Sequence, residues 1–489
     1  MKTIRNLVLL LLALLVVLAA VVIGRTLMVK PVAEAAYGPV PAAPAIDAGA
    51  AAQHLSAAVK FATVSHEDAA EDDPKPLAAQ RDWLTATYPH FAATAPRETV
   101  GAGGLIWTWK GSDPSLAPVI LMAHQDVVPV VEETRNLWQA DPFGGEIKDG
   151  AVWGRGSIDD KGSLVALMEA AEALASQGFK PKRTIYIVSG HDEEVRGSGA
   201  LAAAQALKVR DVHALFALDE GSVVIKDFPL TGKPAALIGI SEKGYATLKI
   251  AARGAGGHSS APPDDTAATT VARAVAAIAD RPFPLKFAGP SADMLRALSP
   301  KLGFTARMAI ANDWLFGGLL TKQAGATPAG KSMLHTTIAP TRLSGSPKDN
   351  VLPSLATAEI NYRIAPGQTS GDVMASARAA VGKLPVSLSW AGEPRDPSPV
   401  SSTNSEAWRD VAGVTAAMFP GVPVAPSLVT AGTDGRVMYL VTGDVYRFQP
   451  ILFGLHDVEM IHGVNEHLKI EDLKRMADFY ARLMLKSAG

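Results

Sequence analysis

The sequence contains no cysteine, and this absence removes several kinds of chemistry at once. The chain can form no disulfide bond, offers no thiol nucleophile and cannot hold zinc through cysteine ligands. It also lacks an excess of charge of either sign, since its formal net charge is −2 over 489 residues. We therefore expect no nucleic-acid partner. No internal repeat is evident, and the length exceeds that of one ordinary core, which predicts two domains.

Four short apolar runs end in acidic or histidine side chains. Each run is short and apolar, without the spacing of an amphipathic helix, so we predict strands. The runs are 118–123, 151–153, 184–188 and 214–218. They are followed by His124 and Asp126, by Asp159 and Asp160, by Glu193 and Glu194, and by Asp219 and Glu220. Ligands of open α/β sheets bind beyond the carboxyl ends of the strands, so these side chains predict one shared crevice.

The segment between the second and third runs has helical spacing. Its apolar positions are Leu164, Leu167, Met168, Ala171 and Leu174, and Gly178 provides a stop. This alternation of strand, helix and strand predicts that the two flanking strands pair in parallel.

Each of these polar groups also has an ordinary structural interpretation. Asp126 could stabilise a turn, and the pair after the second run could cap the following helix. Glu193 and Glu194 could be a solvated loop pair, as could the pair after the fourth run, and His462 alone would be a surface histidine. Taken together, carboxylates and imidazoles at strand ends indicate a two-metal hydrolytic site.

Six segments carry a family resemblance. They are His124-Gln125-Asp126, 154–162 (GRGSIDDKG), His191-Asp192-Glu193-Glu194, Asp219-Glu220-Gly221, 256–260 (GGHSS) and Ile461-His462-Gly463. In this order they resemble the signatures of the di-zinc exopeptidases and aminoacylases related to carboxypeptidase S, from about Ala50 to the C-terminus. The runs 190–195 and 218–221 are most similar to the branch of carboxypeptidase S and the N-acyl-amino-acid hydrolases.

The resemblance implies a fold and a metal centre. The expected fold class is α/β, with a zinc-exopeptidase-like catalytic domain, a mixed sheet flanked by helices, and an inserted smaller α+β lid or dimerisation domain. The expected cofactors are two Zn²⁺ ions per catalytic domain, with Co²⁺ or Mn²⁺ as substitutes. Asp159 would bridge the ions, His124 and Asp219 would complete one site, and Glu194 and His462 would complete the other.

The resemblance also implies catalytic roles for three residues. Glu193 would be the general base that takes a proton from water and returns it to the departing amine. Asp126 would orient His124 through its second ring nitrogen. His258 would stabilise the oxyanion, often from a neighbouring subunit in this family, which makes a homodimer through the lid an expectation. A loop histidine is the alternative for His258.

Four further positions resemble substrate-binding elements, namely Asn350, Arg363, Gly432 and Thr433. A guanidinium at Arg363 would match the carboxylate of an amino acid, although a solvated strand residue is an equal alternative. Glycine at Gly432 would let the backbone approach a ligand closely.

The predicted domain organisation is discontinuous. It comprises a membrane anchor or signal segment at 1–30, an Ala/Pro-rich linker at 31–52, a catalytic domain at 53–242 and 367–489, and a lid at 243–366. Within the lid, strands are predicted at 247–250 and 357–364 and a helix at 266–279. The stretch 282–331 is expected to add helices beside the substrate channel.

The N-terminal apolar run extends from Leu7 to Ile23 without a charge. Its length is near the lower limit for a membrane span and exceeds the apolar core of a signal peptide, which is about 7–15 residues. These properties favour an uncleaved signal anchor with the catalytic domain on the non-cytoplasmic side. Cleavage near Ala33-Glu34-Ala35, followed by secretion, is the alternative. Basic residues flank the run on both sides, which weakens the orientation signal.

These features predict a membrane-anchored hydrolase that cleaves an amide bond and releases an amino acid with a free carboxylate. The expected substrates are small molecules, either N-acyl amino acids or short peptides cut at the C-terminal residue, and the sequence does not decide between them. A non-catalytic binding protein with the same fold and a single-metal structural site are the alternatives.

Overall fold

The computed structural model describes residues 2–32, 34–454 and 456–489. The α-helices are α1 (Lys2–Met28), α2 (Ala48–Val59), α3 (Pro74–Thr87), α4 (Pro89–Thr94), α5 (Lys161–Ser176), α6 (Ser198–Val209), α7 (Ala267–Ala279), α8 (Gly289–Leu298), α9 (Phe304–Ala311), α10 (Asp313–Ala324), α11 (Pro328–Ser332), α12 (Ser370–Val381), α13 (Glu406–Met418) and α14 (Ile470–Ala488). The strands are β1 (Arg97–Val100), β2 (Gly104–Trp109), β3 (Val119–Met122), β4 (Glu146–Lys148), β5 (Ala151–Trp153), β6 (Ile185–Ser189), β7 (Phe216–Asp219), β8 (Val224–Phe228), β9 (Lys233–Glu242), β10 (Gly244–Arg253), β11 (Gly257–His258), β12 (Thr337–Ser344), β13 (Val351–Leu352), β14 (Leu355–Ile364), β15 (Ser387–Trp390), β16 (Val424–Val429), β17 (Val445–Arg447), β18 (Leu452–Phe453) and β19 (His467–Lys469).

A large mixed sheet forms the centre of the catalytic domain. Its strand order is β1-β2-β6-β3-β7-β17-β9-β8-β18, and β16 pairs with β9. Strand β3 pairs in parallel with β6 and with β7, so all three end at the same edge of the sheet. The predicted α/β fold with a mixed sheet is confirmed. Three of the four predicted site strands therefore deliver their side chains to one crevice.

The second predicted strand lies elsewhere. Strand β5 pairs antiparallel with β4 and β19 in a separate three-stranded sheet, so the predicted parallel pairing with the next strand is wrong. The chain turns directly after β5 at Gly154. Its φ of 145° is a conformation that residues with a side chain rarely adopt, and a Cβ atom at this position would collide with Val59. The intervening helix is confirmed as α5, and the loop before it still reaches the crevice.

Helices cover both faces of the large sheet. Helices α2, α5, α13 and α14 pack around one apolar core, and α6 packs on the opposite face. The contact between α5 and α14 buries side chains such as Leu167, Met476 and Phe479. Each fully buried side chain of this size stabilises the fold by about 1.5–3 kcal/mol through the hydrophobic effect.

The lid has its own sheet and its own core. Its strand order is β12-β14-β10-β15, with α7 and α12 packed on it. Strand β14 alternates buried and half-buried residues, as its sequence predicts. Strand β15 pairs with β10, so the lid extends to Trp390 and the predicted boundary at 366 is too early. Only four residues form β15, and a run this short carries little sequence signal.

The additional helices of the lid contact the catalytic domain. Helix α8 lies against β16, where Leu295 and Leu298 share an apolar cluster with Phe228 and Ala425. The buried ion pair between Glu242 and Arg447, with 2.6 Å between Oε1 and Nε, closes the junction where β9 leads into the lid. The insertion, residues 282–331, therefore connects the catalytic sheet with the lid.

The N-terminal region differs in part from its prediction. Helix α1 is long and apolar enough to cross a membrane by length and composition, a test that a signal sequence also passes. Ala33, in the alternative cleavage site, lies outside the described residues. Part of the predicted linker is packed on the catalytic domain, because Lys486 Nζ donates to the carbonyls of Tyr37 and Pro39 at 2.9 and 3.1 Å. The linker also ends earlier than predicted, since α2 begins at Ala48.

Candidate active site

The candidate metal ligands meet at the carboxyl edge of the large sheet, with Asp159 at their centre. One carboxylate oxygen of Asp159 lies 2.9 Å from His124 Nε2, and the other lies 3.1 Å from His462 Nε2. His462 Nε2 also lies 3.0 Å from a carboxylate oxygen of Glu194. Asp159 therefore presents one oxygen to each of two histidines, which is the arrangement that a bridging carboxylate requires.

The structure places Glu220 beside His124 and Asp159, at the position predicted for Asp219. Ligand atoms of His124, Asp159 and Glu220 all lie within 4.8 Å of one another. Asp219 is buried, and its Oδ2 accepts the backbone N–H of Gly435. Successive side chains at a strand end point to opposite sides, so only one of the two neighbours reaches the cluster. The geometry favours Glu220 over the predicted Asp219 as the ligand beside His124 and Asp159.

Asp126 connects three parts of the site. It lies beside His124, with 3.3 Å between its Oδ1 and the histidine Nδ1. The same carboxylate accepts the backbone N–H groups of Glu193 and Glu194 at 3.1 and 3.2 Å and the Ser65 hydroxyl at 2.6 Å. Asp126 thus orients the His124 ring so that Nε2 faces Asp159, and it holds the turn that carries both glutamates.

A buried ion pair holds the loop of His462, and no motif in the sequence indicates this pair. Arg155 donates to Glu466 at 2.8 Å and to the carbonyls of His462 and Gly463 at 3.2 and 2.9 Å. Glu466 also accepts the backbone N–H of Asp159 at 3.1 Å. His462 has a φ of 60°, which is uncommon for a residue with a Cβ atom and is held by these contacts.

Negative charge dominates the cluster. Burial, followed by the nearby carboxylates of Asp159, Asp160, Asp219 and Glu193, raises the pKa of Glu220 well above its usual value. Burial also raises the pKa of Glu193 and of Glu194, with further contributions from neighbouring carboxylates.

Histidine supplies the balancing charge within the protein. Hydrogen bonds to Asp159 and Glu194 raise the pKa of His462 to about 10. One oxygen of Glu194 is buried and has no hydrogen-bond partner within the described residues. The cluster combines hard carboxylate oxygens with two imidazoles and has too little positive charge to balance the carboxylates. Such a set of ligands fits divalent cations such as zinc.

A cleft of about 400 Å³ opens beside the cluster. Its lining residues include Glu193, Glu194 and His462 from the cluster and Gly432 and Thr433 from the loop after β16. The Thr433 hydroxyl donates to Glu242 Oε1 at 2.7 Å. The backbone at Gly432 is therefore the part of this loop that a ligand in the cleft would contact.

Four cationic side chains line the same cleft, namely Lys243, Arg363, Arg395 and Arg436. The guanidinium carbons of Arg363 and Arg395 lie 4.8 and 5.6 Å from the centre of the Tyr245 ring, and this stacking holds both side chains. Burial, followed by Arg363, lowers the pKa of Lys243 to about 8. Arg363 lines the cleft, and within the described residues no carboxylate forms an ion pair with it.

Two predicted residues do not reach this cleft. His258 and Asn350 lie together at the exposed two-stranded ribbon of β11 and β13, where the Ser259 N–H donates to the Asn350 carbonyl at 3.1 Å. The lining of the cleft contains neither residue. One chain therefore does not bring His258 or Asn350 to its own metal cluster.

Comparison with known proteins identifies the family. The model of the family described as Peptidase family M20/M25/M40 matches residues 120–486. The chain belongs to this family. As an M20 peptidase it is a hydrolase, in agreement with the predicted enzyme class, and its family includes metallo-carboxypeptidases.

Two relatives illustrate the branch to which the chain is similar. It is 34% identical over 444 residues to "Probable carboxypeptidase S-like 2" of Dictyostelium discoideum, which covers 88% of this chain and 84% of the relative. It is also 34% identical over 437 residues to the human "N-fatty-acyl-amino acid synthase/hydrolase PM20D1", covering 88% and 86%. The predicted resemblance to the carboxypeptidase S and N-acyl-amino-acid hydrolase branch is confirmed.

Solved structures confirm the fold at lower sequence identity. The M20 family metallo-carboxypeptidase Sso-CP2 from Sulfolobus solfataricus aligns with a TM-score of 0.65 at 17% identity, covering 89% of this chain and 98% of that one. Human carnosine dipeptidase 1 aligns with a TM-score of 0.60 at 14% identity, covering 90% and 97%.

Metal analysis can test whether Glu220 or Asp219 is the metal ligand. We expect Glu220→Gln to lower the zinc content of the purified protein, because it removes one charged ligand oxygen. Asp219→Asn is the matched control, since its amide oxygen still accepts the Gly435 N–H and its zinc content should be unchanged. Loss of zinc from the Asp219 variant, with full zinc in the Glu220 variant, would restore the original assignment.

Proposed function

We propose that this M20 hydrolase is a di-zinc enzyme that cleaves the amide bond of an N-acyl amino acid or the C-terminal peptide bond of a short peptide. The observation that carries the proposal is the position of Asp159 between two histidines, beside Glu193 and a cation-lined cleft. The names of relatives on both substrate branches support the same reaction type, hydrolysis of an amide.

The residues present fit two zinc ions. His124 and Glu220 would hold one ion, Glu194 and His462 would hold the other, and Asp159 would contribute to both. When bound, the ions would supply Lewis acidity and a water of lowered pKa.

Glu193 has the position of the proton carrier. It lines the cleft next to Glu194, and its backbone N–H is fixed by Asp126 at 3.1 Å. As general base Glu193 takes a proton from the attacking water, and as general acid it delivers that proton to the amine nitrogen that leaves.

The cationic wall of the cleft suits a substrate with a free carboxylate. The fork of Arg363 can bind both carboxylate oxygens, and Tyr245 beneath it restricts its rotation. Lys243 and Arg395 add positive charge, so the amino-acid half of the substrate binds here with its amide directed at Glu193.

His258 supports a role for a second copy of the chain. We propose that the lid forms a homodimer in which His258 of one chain completes the cleft of the other, as the family resemblance implies. The exposed position of the ribbon that carries it suits a contact of this kind.

Helix α1 supports retention at a membrane. We propose that it is an uncleaved signal anchor and that the catalytic domain lies on the non-cytoplasmic side. Its length and composition and the charge-free run from Leu7 to Ile23 support this location.

Hydrolysis of a substrate panel tests the proposed reaction. We expect the full chain in detergent to release amino acid from at least one of a long-chain N-acyl amino acid, an N-acetyl amino acid and a Gly-X dipeptide. A chelator should abolish the release and zinc should restore it, and the preferred member identifies the substrate class. Protein that binds no zinc and hydrolyses no member would instead favour a non-catalytic binding protein.

Replacement of Glu193 tests its role as the proton carrier. We expect Glu193→Gln to reduce kcat by about 10²–10⁴-fold while the zinc content stays unchanged, because the amide cannot accept the proton. Glu67→Gln, in the lining of the same cleft, is the matched control and should retain activity. Full activity of the Glu193 variant would refute the assignment.

Replacement of Arg363 tests recognition of the carboxylate. Arg363→Met should raise KM about 10- to 100-fold for substrates with a free carboxylate, the effect of losing a charge-assisted hydrogen bond. The same variant should leave the hydrolysis of carboxamide analogues nearly unchanged. Arg342→Met, an exposed residue of the lid sheet, is the control. An equal effect on both substrate series would contradict the role.

A further inference from the structure

The inserted helices of the lid carry an apolar surface that faces solvent. On α10 the exposed side is formed by Trp314, Leu315, Gly318, Leu319 and Lys322, and these positions lie on one face of the helix. Trp314 is 56% exposed and Leu319 is 55% exposed. The opposite face of α10 is also apolar and packs inward, with Leu320 in a cluster shared with α8. A helix that is apolar on both faces requires an apolar partner on its outer side.

Helix α1 is attached next to this surface. Its residues Val22 and Thr26 are buried, and Leu18 and Val29 are half-buried on the same face, which packs against α9. The remaining sides of α1 are exposed and apolar, including Leu7 to Leu15. The packed part is the C-terminal third of the helix.

Buried polar contacts hold this junction. Asn312, between α9 and α10, is fully buried and donates to the Val22 carbonyl at 3.1 Å and to the Thr26 hydroxyl at 3.3 Å. Arg25 donates to the Ala311 carbonyl at 3.2 Å. Because Asn312 immediately precedes α10, Leu319 lies only about 10 Å further along that helix.

The part of α1 that does not pack on the protein has a length that sets how deep its contact with α9 and Asn312 would lie in a membrane. From Ile4 to Val21 the helix covers about 27 Å, close to the hydrocarbon thickness of a bilayer. A membrane crossed by this part of α1 would place Val22, Arg25 and Asn312 at the lipid–water interface, the level at which polar side chains and tryptophan are favoured. The exposed side of α10 would start at the same level.

The charges of the insertion suit contact with lipid phosphates. Between 289 and 332 the sequence has five basic residues and two acidic ones. Both acidic residues, Asp293 and Asp313, pair with Arg296 at 2.7 and 2.5 Å. Lys301 and Lys322 are exposed near the apolar side chains and can reach lipid phosphates while their stems stay in apolar surroundings.

We propose that α9 and α10 form a second membrane-contact surface, which lies in the headgroup region of the bilayer that α1 spans, with Phe304, Trp314, Leu315 and Leu319 inserted between acyl chains. This rests on the proposed retention of α1 as an anchor. The same insertion reaches the catalytic cleft, because Lys243 Nζ donates to the carbonyls of Ser332 and His335, each at 2.9 Å. The wall of the cleft that contains Lys243 is thereby connected to the membrane-contact surface.

The absence of cysteine makes a direct test simple. Single variants Leu315→Cys, Leu319→Cys, Leu15→Cys and Val209→Cys of the full chain are labelled with an environment-sensitive fluorophore. They are reconstituted in vesicles of equal parts phosphatidylcholine and phosphatidylglycerol. Leu15 lies in the free part of α1 and reports the anchor, whereas Val209, at the end of α6, is 87% exposed and is the aqueous control. Retained hydrolysis of the panel member that the unlabelled full chain cleaves shows that each labelled variant is folded.

We expect quenching by spin-labelled lipids at positions 315 and 319 to be several-fold stronger than at position 209, with reduced quenching by iodide in the buffer. Lipid quenching at position 15 together with iodide access at 315 and 319 equal to that at 209 would overturn the surface and leave the anchor intact. Loss of lipid quenching at position 15 as well would refute the anchor and the surface together. Cross-linking between copies at 315, without lipid quenching, would assign the surface to a second chain and overturn the proposal.

Discussion

The burial of several carboxylates within a few ångströms of one another is the constraint on which this structure depends. Asp159, Glu193, Glu194 and Glu220 meet where the largely apolar strands β3, β6 and β7 end. Burial, followed by repulsion from the neighbouring carboxylates, raises the pKa of each glutamate and would favour protonation without a balancing charge. The histidines balance part of this charge, and divalent cations are the groups that match the remainder. The site is therefore unfavourable for the fold by itself and is explained by the chemistry that it supports.

Hydrogen bonds to backbone groups keep this repulsive cluster in place. Asp126 fixes the turn of the two glutamates, and Glu466 accepts N–H groups from the loop that leads to Asp159. Arg155 joins that loop to the segment of His462. Asp126 and Glu466 are buried and each accepts several hydrogen bonds, and Arg155 pairs with Glu466, so removing one partner would leave an unpaired charge in the interior. The rigidity of the site thus comes from residues that do not touch a substrate.

The sequence predicted the fold class, the crevice and most residues that meet there, because strands that end in polar side chains are a strong local pattern. The choice between Asp219 and Glu220 was not predictable, since it depends on which of two neighbours faces Gly435 in the folded chain. The place of β5 in a separate sheet and the end of the lid at Trp390 depend on long-range pairing of very short strands. The cationic wall was found only in part, because its side chains come from both domains.

The candidate metal ligands lie on both sides of the lid along the chain. His124, Asp159, Glu194 and Glu220 precede the lid, and His462 follows it near the end of the sequence. A pair of ions bound here would cross-link two segments that the ribosome synthesises far apart in time. Metal binding of this kind lowers the free energy of the native state alone. The resistance of the enzyme to heat would therefore increase with the concentration of free metal around it. The compartment that supplies the metal would thus help to set the lifetime of the protein.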